Sequence, residues 1–119
     1  MYEYSCEMLS WIDGDTCDVS IDLGFEVWLN QRVRVDGINA PEIHSTKTAE
    51  KLAGQRALKF AQGLAPEGLA YKIVTAKAGK EREKFGRWLA KITLPDGRDF
   101  ATAMIEAGQA KPYHGEKRT

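Results

Sequence analysis

Residues 1–31 contain no lysine or arginine, although they contain seven acidic residues. The whole chain of 119 residues has no net charge, because seventeen basic residues balance seventeen acidic ones. That balance argues against a protein that coats nucleic acid by bulk positive charge. Seven basic residues lie between Leu69 and Lys91. The sequence therefore has an acidic half that could hold a divalent cation and a basic half that could hold a polyanion.

Cysteines and long apolar runs are also scarce. Cys6 and Cys17 are the two cysteines; they fit no ligand spacing for zinc and do not by themselves indicate a disulfide. No apolar run approaches the length that spans a membrane, and the N-terminus lacks the basic start and apolar core of a signal peptide. Length and composition predict one globular domain over residues 1–119, and we expect an intracellular protein without a membrane partner.

Alternation of apolar and polar residues with a period of two predicts five strands. They cover residues 2–8, 17–23, 25–35, 71–77 and 88–93, and residues 78–86 form a charged loop before the last strand. Asp13-Gly14-Asp15 predicts a turn between the first two strands. In the third strand, Arg34 is expected to point away from the apolar side that Val33 and Val35 define.

The period changes to three and four residues between Ser45 and Leu64, which predicts one long amphipathic helix with Thr46 or Thr48 as its cap. Its apolar face is expected to hold Ala49, Ala53, Ala57, Phe60, Ala61 and Leu64. Residues 99–107 predict a short second helix with Asp99 as N-cap.

These elements predict an α+β fold that is mainly β. We expect a five-stranded antiparallel OB-fold barrel, with a long helix after strand 3 and a short helix after strand 5. Barrels of this type commonly bind oligonucleotides. The fold alone does not give the function, because many such domains have other roles.

Residues 34–42 (RVDGINAPE) combine three chemical capacities in one short stretch. Arg34 can hold an anion, Asn39 and Ala40 can offer oxygens to a cation, and Glu42 can accept a proton. Pro41 fixes its own φ and pushes Ala40 toward extended geometry, so that Glu42 follows a stiffened turn. The same pattern is also that of a strand end and a turn before a helix, and partners elsewhere in the chain must decide between the two interpretations.

Several motifs together resemble the staphylococcal nuclease (thermonuclease) family in order and spacing. They are Ile12-Asp13-Gly14-Asp15-Thr16, Arg34 through Pro41-Glu42, Glu50 and Gly54, Lys84-Phe85-Gly86-Arg87-Trp88-Leu89-Ala90, and Ala107-Gly108-Gln109-Ala110 before Tyr113. The resemblance covers nearly the whole chain. A single Asp-Gly-Asp-Thr run would be a weak signal, whereas three ordered motifs with both arginines and the glutamate are a strong one.

The resemblance implies a calcium-dependent phosphodiesterase that acts on DNA and RNA. It implies that Asp15, Asn39 and the backbone carbonyl of Ala40 bind one Ca²⁺ ion. Arg34 and Arg87 match the two phosphate-binding arginines, and Glu42 matches the general base. Lys84, Phe85 and Tyr113 match positions that contact the nucleotide, in a protein expected to be a monomer with little sequence preference.

Elementary chemistry agrees with these roles. Two guanidinium groups and a cation can neutralise a phosphodiester as its charge shifts in the transition state, and arginine can hold two phosphate oxygens at once. Each residue also has a simpler explanation. Asp13 and Asp15 could only build a turn, Arg87 could form a surface ion pair, and Glu42 could stabilise the start of a helix.

One departure from the family concerns the metal. The family usually carries Asp where this chain has Asn39, so the site loses a negative charge and should bind calcium more weakly. The alternative to an enzyme is a catalytically silent module that binds single-stranded nucleic acid or a protein tail. Such modules typically lack the arginines or the glutamate, whereas Arg34, Glu42 and Arg87 are all present here.

Overall fold

Seven strands and two helices form the part of the chain that the computed structural model describes, residues 2–75 and 88–113. The strands are β1 (Tyr2–Asp13), β2 (Thr16–Asp22), β3 (Trp28–Val35), β4 (Ile38–Asn39), β5 (Ala70–Thr75), β6 (Trp88–Thr93) and β7 (Lys111–Pro112). The helices are α1 (Thr48–Leu64) and α2 (Phe100–Glu106).

Five of the strands close into a barrel in the order β1-β2-β3-β6-β5, which confirms the predicted mainly β, OB-like architecture with a long and a short helix. The prediction that the barrel is entirely antiparallel was wrong. β3 and β6 run parallel, with Val33 opposite Trp88 and Val35 opposite Ala90. Period-two alternation reports the faces of a strand but not the direction of its neighbour, so this pairing is not visible in the sequence.

Apolar side chains from all five barrel strands fill the interior, and α2 closes one side of it. Phe100 of α2 is fully buried and stacks on Trp11 of β1, with ring centroids 4.6 Å apart. The indole nitrogen of Trp11 donates a hydrogen bond of 2.9 Å to the carbonyl of Ala65, just after α1. An aromatic pair of this kind adds about 0.5–1.5 kcal/mol beyond the area it buries. This contact therefore ties both helices to the barrel.

The first hairpin is longer than the sequence pattern indicates. β1 continues beyond Met8 to Asp13, with irregularities in its pairing with β2 between Met8 and Ser10 and between Trp11 and Asp13. An irregularity shifts the alternation by one residue, which hides the second half of the strand from a period-two search. The predicted turn at residues 13–15 is confirmed, because Asp13 pairs with Thr16 across it.

Helix α1 buries only part of the predicted stripe: Ala57 and Ala61 are buried, and Ala53 and Leu64 are half-buried. Its buried residues are Gly54, Ala57 and Ala61, whereas Ala49 and Phe60 are exposed. The proposed threonine caps are also wrong, because the helix starts at Thr48 and its N-cap is Lys47, which makes no side-chain capping bond. Alanine and glycine carry little hydrophobicity, so the sequence pattern located this face inaccurately.

The third strand starts three residues later than predicted. Residues 24–27 form a tight turn instead, closed by hydrogen bonds of 2.9 Å from Leu23 N to Val27 O and from Val27 N to Gly24 O. Phe25 and Glu26, at the centre of this turn, have φ angles of 54° and 61°. Phe25 is fully exposed.

The second helix agrees with its prediction. Asp99 is its N-cap and accepts a hydrogen bond of 3.1 Å from the backbone N–H of Thr102. In the described residues no helix is both long enough and apolar enough to cross a membrane. Cys6 and Cys17 are both buried as free thiols, and burial raises the pKa of Cys6 to about 11.

Candidate functional site

The turn between β1 and β2 places the carboxylate of Asp15 against Ala40, the residue that follows β4. Asp15 is only 6% exposed. Its Oδ2 accepts a hydrogen bond of 2.8 Å from the backbone N–H of Ala40, and its Oδ1 accepts one of 3.0 Å from the hydroxyl of Thr16. The Ala40 contact joins residues that are twenty-five positions apart in sequence. Asp15 therefore belongs to a site built by the tertiary fold and does more than form a turn.

Arg34 lies beside this carboxylate. It occupies the end of β3 opposite Thr16, and it is 4% exposed. Its Nη2 atom is 3.6 Å from Oδ2 of Asp15 and donates a hydrogen bond of 3.4 Å to Oδ1 of Asn39. Alternation correctly placed Arg34 opposite the valine side, but no local pattern indicates that it is buried beside Asp15 and Asn39.

Tyr113 covers the guanidinium group. The Arg34 carbon Cζ lies 5.1 Å from the centre of the tyrosine ring, within the range of a cation–π contact. The backbone N–H of Tyr113 donates a hydrogen bond of 2.9 Å to the carbonyl of Gly37. The short sheet of β4 and β7, in which Asn39 pairs with Lys111, holds this segment in place. Two-residue strands carry no period, so sequence reasoning missed this sheet.

Gly14 allows the turn to sit this close to its neighbours. A Cβ atom added to Gly14 would lie 2.9 Å from Cβ of Ala40 and 3.1 Å from Cβ of Ala57. Both distances are shorter than ordinary van der Waals contacts. The missing side chain therefore allows the Asp15 turn, β4 and α1 to meet.

Gly54 of α1 forms a second close contact, beneath Glu42. A Cβ atom on Gly54 would lie 2.7 Å from both the carbonyl carbon and the carbonyl oxygen of Glu42, and 2.8 Å from the nitrogen of Ile43. The backbone of Glu42 thus packs directly on the helix, while Glu42 itself is exposed. This contact fixes the backbone that carries the Glu42 carboxylate. Gly54 was among the motif residues, but the motif did not indicate this contact.

Asp13 shares the turn with Asp15 and has an unusual proton affinity. Burial, followed by the neighbouring Asp15 carboxylate, raises the pKa of Asp13 from 3.8 to about 7. The backbone N–H of Asp15 donates to Asp13 Oδ1 at 3.3 Å and partly offsets this effect. The turn therefore holds two carboxyl groups of which one is readily protonated.

The structure brings together six of the nine predicted site residues or places them by a defined contact. Asp15, Arg34, Asn39 and Ala40 form one connected cluster, and Tyr113 covers Arg34. Glu42 follows two residues after Ala40 on the segment seated on Gly54. The other three predicted residues, Lys84, Phe85 and Arg87, lie outside the described residues.

The atoms of this cluster that could bind a metal ion are all oxygens. Asp15 offers a carboxylate, Asn39 an amide oxygen and Ala40 a backbone carbonyl, which suits a hard cation such as calcium or magnesium. Asp15 supplies the one formal negative charge of the three, and Arg34 lies beside it. Within residues 2–75 and 88–113, no three His, Cys, Asp or Glu side chains converge as a metal site. The residues fit a weakly held divalent cation that takes further oxygens from water or substrate.

Comparison with protein families gives a match to the family model described as Staphylococcal nuclease homologue, over residues 32–119. The match covers more than half of the chain and includes Arg34, Glu42 and Arg87. Asp15 precedes the matched residues, so its place in the site rests on its contacts with Arg34 and Ala40. No curated protein matches the chain.

Proposed function

Because the chain belongs to the staphylococcal nuclease family, we propose that it is a calcium-dependent endonuclease that hydrolyses phosphodiester bonds of DNA and RNA. The products are 3′-phosphate and 5′-hydroxyl ends. The observation that carries this proposal is the cluster in which Asp15, Arg34, Asn39 and Ala40 meet, drawn from three separate elements. The cluster sets the guanidinium group of Arg34 beside a group of oxygens. The guanidinium can bind a phosphodiester, and the oxygens can bind the metal ion that accompanies it.

Arg34 is suited to holding a phosphate. Its two polar contacts within the described part of the chain, at 3.4 and 3.6 Å, both use Nη2 and are longer than the roughly 2.7–2.9 Å of a strong charge-assisted hydrogen bond. A guanidinium has five N–H donors, so these contacts do not saturate it. Burial strengthens its attraction for an anion because little water screens the charge.

Glu42 acts as the general base in this proposal. It accepts a proton from a water molecule as that water attacks phosphorus, while Arg34 and Arg87 stabilise the charge that develops on the phosphate oxygens. A calcium ion held by Asp15, Asn39 and the carbonyl of Ala40 would supply Lewis-acid stabilisation of a phosphate oxygen. Lys84, Phe85 and Tyr113 hold the nucleotide, the lysine by charge and the aromatic rings by stacking.

The decisive assay uses the purified chain, denatured DNA and added calcium. We expect the wild type to cut the DNA and to stop when a chelator removes the metal. Glu42→Gln should lower the rate about 10²–10⁴-fold, because the amide cannot accept the proton, while DNA binding remains. Arg87→Ala should also abolish cutting with an unchanged circular dichroism spectrum.

Arg34 is a poorer choice for this test. Its removal would leave Asp15 buried beside no cation, and breaking a buried ion pair typically costs about 3–5 kcal/mol of stability. A loss of activity in Arg34→Ala could then result from unfolding as well as from the loss of a phosphate-binding group. Glu42 is exposed, so Glu42→Gln does not have this problem.

If the wild type binds DNA but cuts none with calcium, magnesium or manganese, the enzyme proposal fails. A silent module that binds single-stranded nucleic acid or a protein tail then takes its place.

A further inference from the structure

The tip of the hairpin formed by β2 and β3 displays apolar side chains to solvent. Phe25 is 100% exposed and Trp28 is 55% exposed. The tip surface comprises these two residues and three further exposed apolar ones, Leu23, Val27 and Leu29. Scattered exposed apolar residues are ordinary, but five within seven positions concentrate apolar side chains at one end of the hairpin, as interaction sites do.

The backbone of the tip supports the same interpretation. Phe25 and Glu26 occupy the two central positions of a turn with positive φ, where asparagine and glycine are favoured. A bulky aromatic residue in this conformation is strained, and strain of this kind concentrates at functional positions. The chain thus keeps a phenylalanine at the outermost point of the hairpin although a small residue would fit the turn better.

The charges around the tip are acidic. Asp22 and Glu26 lie within it, and residues 1–31 contain no lysine or arginine. This charge repels nucleic acid and anionic lipid surfaces, although the aromatic rings could otherwise stack on bases or enter a membrane interface. The surface that complements the tip is therefore apolar and basic.

The same chain carries such a surface on the outer face of α1. Leu52 and Phe60 are exposed there, at 49% and 37%, and Arg56 and Lys59 are exposed beside them. Leu52, Arg56 and Phe60 follow one another at steps of four, and Lys59 comes three positions after Arg56, so the four residues lie on the side of the helix away from the buried Gly54, Ala57 and Ala61. We call residues 52, 56, 59 and 60 the helix surface.

We propose that the tip surface of one copy of this chain docks on the helix surface of a second copy. Apolar side chains meet apolar side chains, and Glu26 meets Arg56 and Lys59. The contact is heterologous, because the two patches differ, so each copy can bind one neighbour through its tip and another through its helix. This departs from the monomer expected from the sequence, and it does not depend on the proposed nuclease activity.

Sedimentation velocity of the full chain tests the proposal. The average mass of the wild type should rise with protein concentration. It should exceed the mass of a dimer at concentrations below about 1 mM, which corresponds to a weak protein association. A tip variant (Phe25→Asn with Trp28→Thr) and a helix variant (Leu52→Gln with Phe60→Gln) should each be monomeric alone. A mixture of the two should give a dimer that grows no further, because only one tip and one helix surface remain intact.

Leu69→Gln is the matched control. Leu69 is 49% exposed, as Leu52 is, but it lies outside both surfaces, so this variant should associate as the wild type does. A charge exchange provides a second, independent route. Glu26→Lys and Arg56→Glu should each weaken association, and their mixture should restore it because the opposite charges face each other again.

Each of three results would overturn the proposal. One is a wild type that stays monomeric up to about 1 mM. Another is a mixture of folded tip and helix variants that stays monomeric while the wild type associates. Dimerisation of the helix variant alone would likewise reject it, because the tip would then bind another tip.

Discussion

Asn39 is a neutral residue where the resemblance to the family implies a negatively charged aspartate. It contributes an amide oxygen to a cluster whose other side-chain oxygens come from Asp15, and Arg34 donates to it at 3.4 Å. A carboxylate here would add a second negative charge to the oxygen donors. The calcium requirement that we propose should therefore depend on this one position.

Asn39→Asp should lower the calcium concentration that gives half-maximal cleavage. The added charge attracts the cation directly, and it also strengthens the contact with Arg34. Calcium titration of the cleavage rate measures the effect, and isothermal calorimetry with calcium alone separates binding from catalysis. If neither value changes, Asn39 does not contact the metal.

Asp13 makes a separate prediction about pH. Its pKa is raised to about 7 in the folded protein from the ordinary 3.8, so the folded state binds the proton more tightly than the unfolded state does. The stability that this proton contributes is fully present below about pH 4 and is lost as pH rises toward about 7. Asp13→Asn should remove this loss.

Denaturant unfolding of the wild type and Asp13→Asn at about pH 5 and about pH 8, with a chelator present, measures the difference. The variant should be the more stable protein at the higher pH and should show a flatter pH dependence. A wild type whose stability rises between the two values, with the variant following it in parallel, would show that Asp13 is not the group responsible.

At the scale of the element, α1 packs through a glycine on the segment that carries Glu42, the proposed general base. Gly54 contacts the backbone of Glu42 and Ile43 with no room for a methyl group, whereas Gly63, nine positions later, has no atom within 4 Å of the place where its Cβ would be. The two glycines lie in the same helix and differ in the space available for a Cβ atom. They form a matched pair for mutation.

Gly54→Ala should lower kcat by up to about 10²-fold, because the methyl group displaces the segment that carries Glu42. KM should change less, since Arg34 and Tyr113 lie on other elements. Gly63→Ala should leave kcat unchanged and raise the free energy of unfolding by about 0.5–1 kcal/mol, as alanine does in an exposed helix position. Equal losses of activity in both variants would show that Gly54 does not position the segment that carries Glu42.

The elements also show where sequence reasoning succeeds. Regular alternation located β2 and β6, and the Asp99 cap located the start of α2, because these signals are local. The second half of β1 was missed because irregular pairing breaks its alternation. The sheet of β4 and β7 was missed because two-residue strands depend on partners far away in the sequence.

At the scale of the whole molecule, closure of the barrel creates the site. Asp15 reaches Ala40 across twenty-five positions, and Tyr113 reaches Arg34 from beyond α2. The motifs predicted which residue types would be present, and the resemblance predicted their roles. The burial of Arg34, the contact of Gly54 with Glu42 and the high pKa of Asp13 depend on packing that no local pattern encodes.

The nature of the product ends tests the central claim most directly. A defined oligonucleotide is digested in calcium by wild type and by Glu42→Gln, purified side by side, and the ends are identified by mass spectrometry. Attack of water opposite the 5′ oxygen, assisted by Glu42, predicts 3′-phosphate and 5′-hydroxyl ends from the wild type and almost none from the variant. Ends carrying a 5′-phosphate, equal cutting by both proteins, or intact substrate would contradict the account.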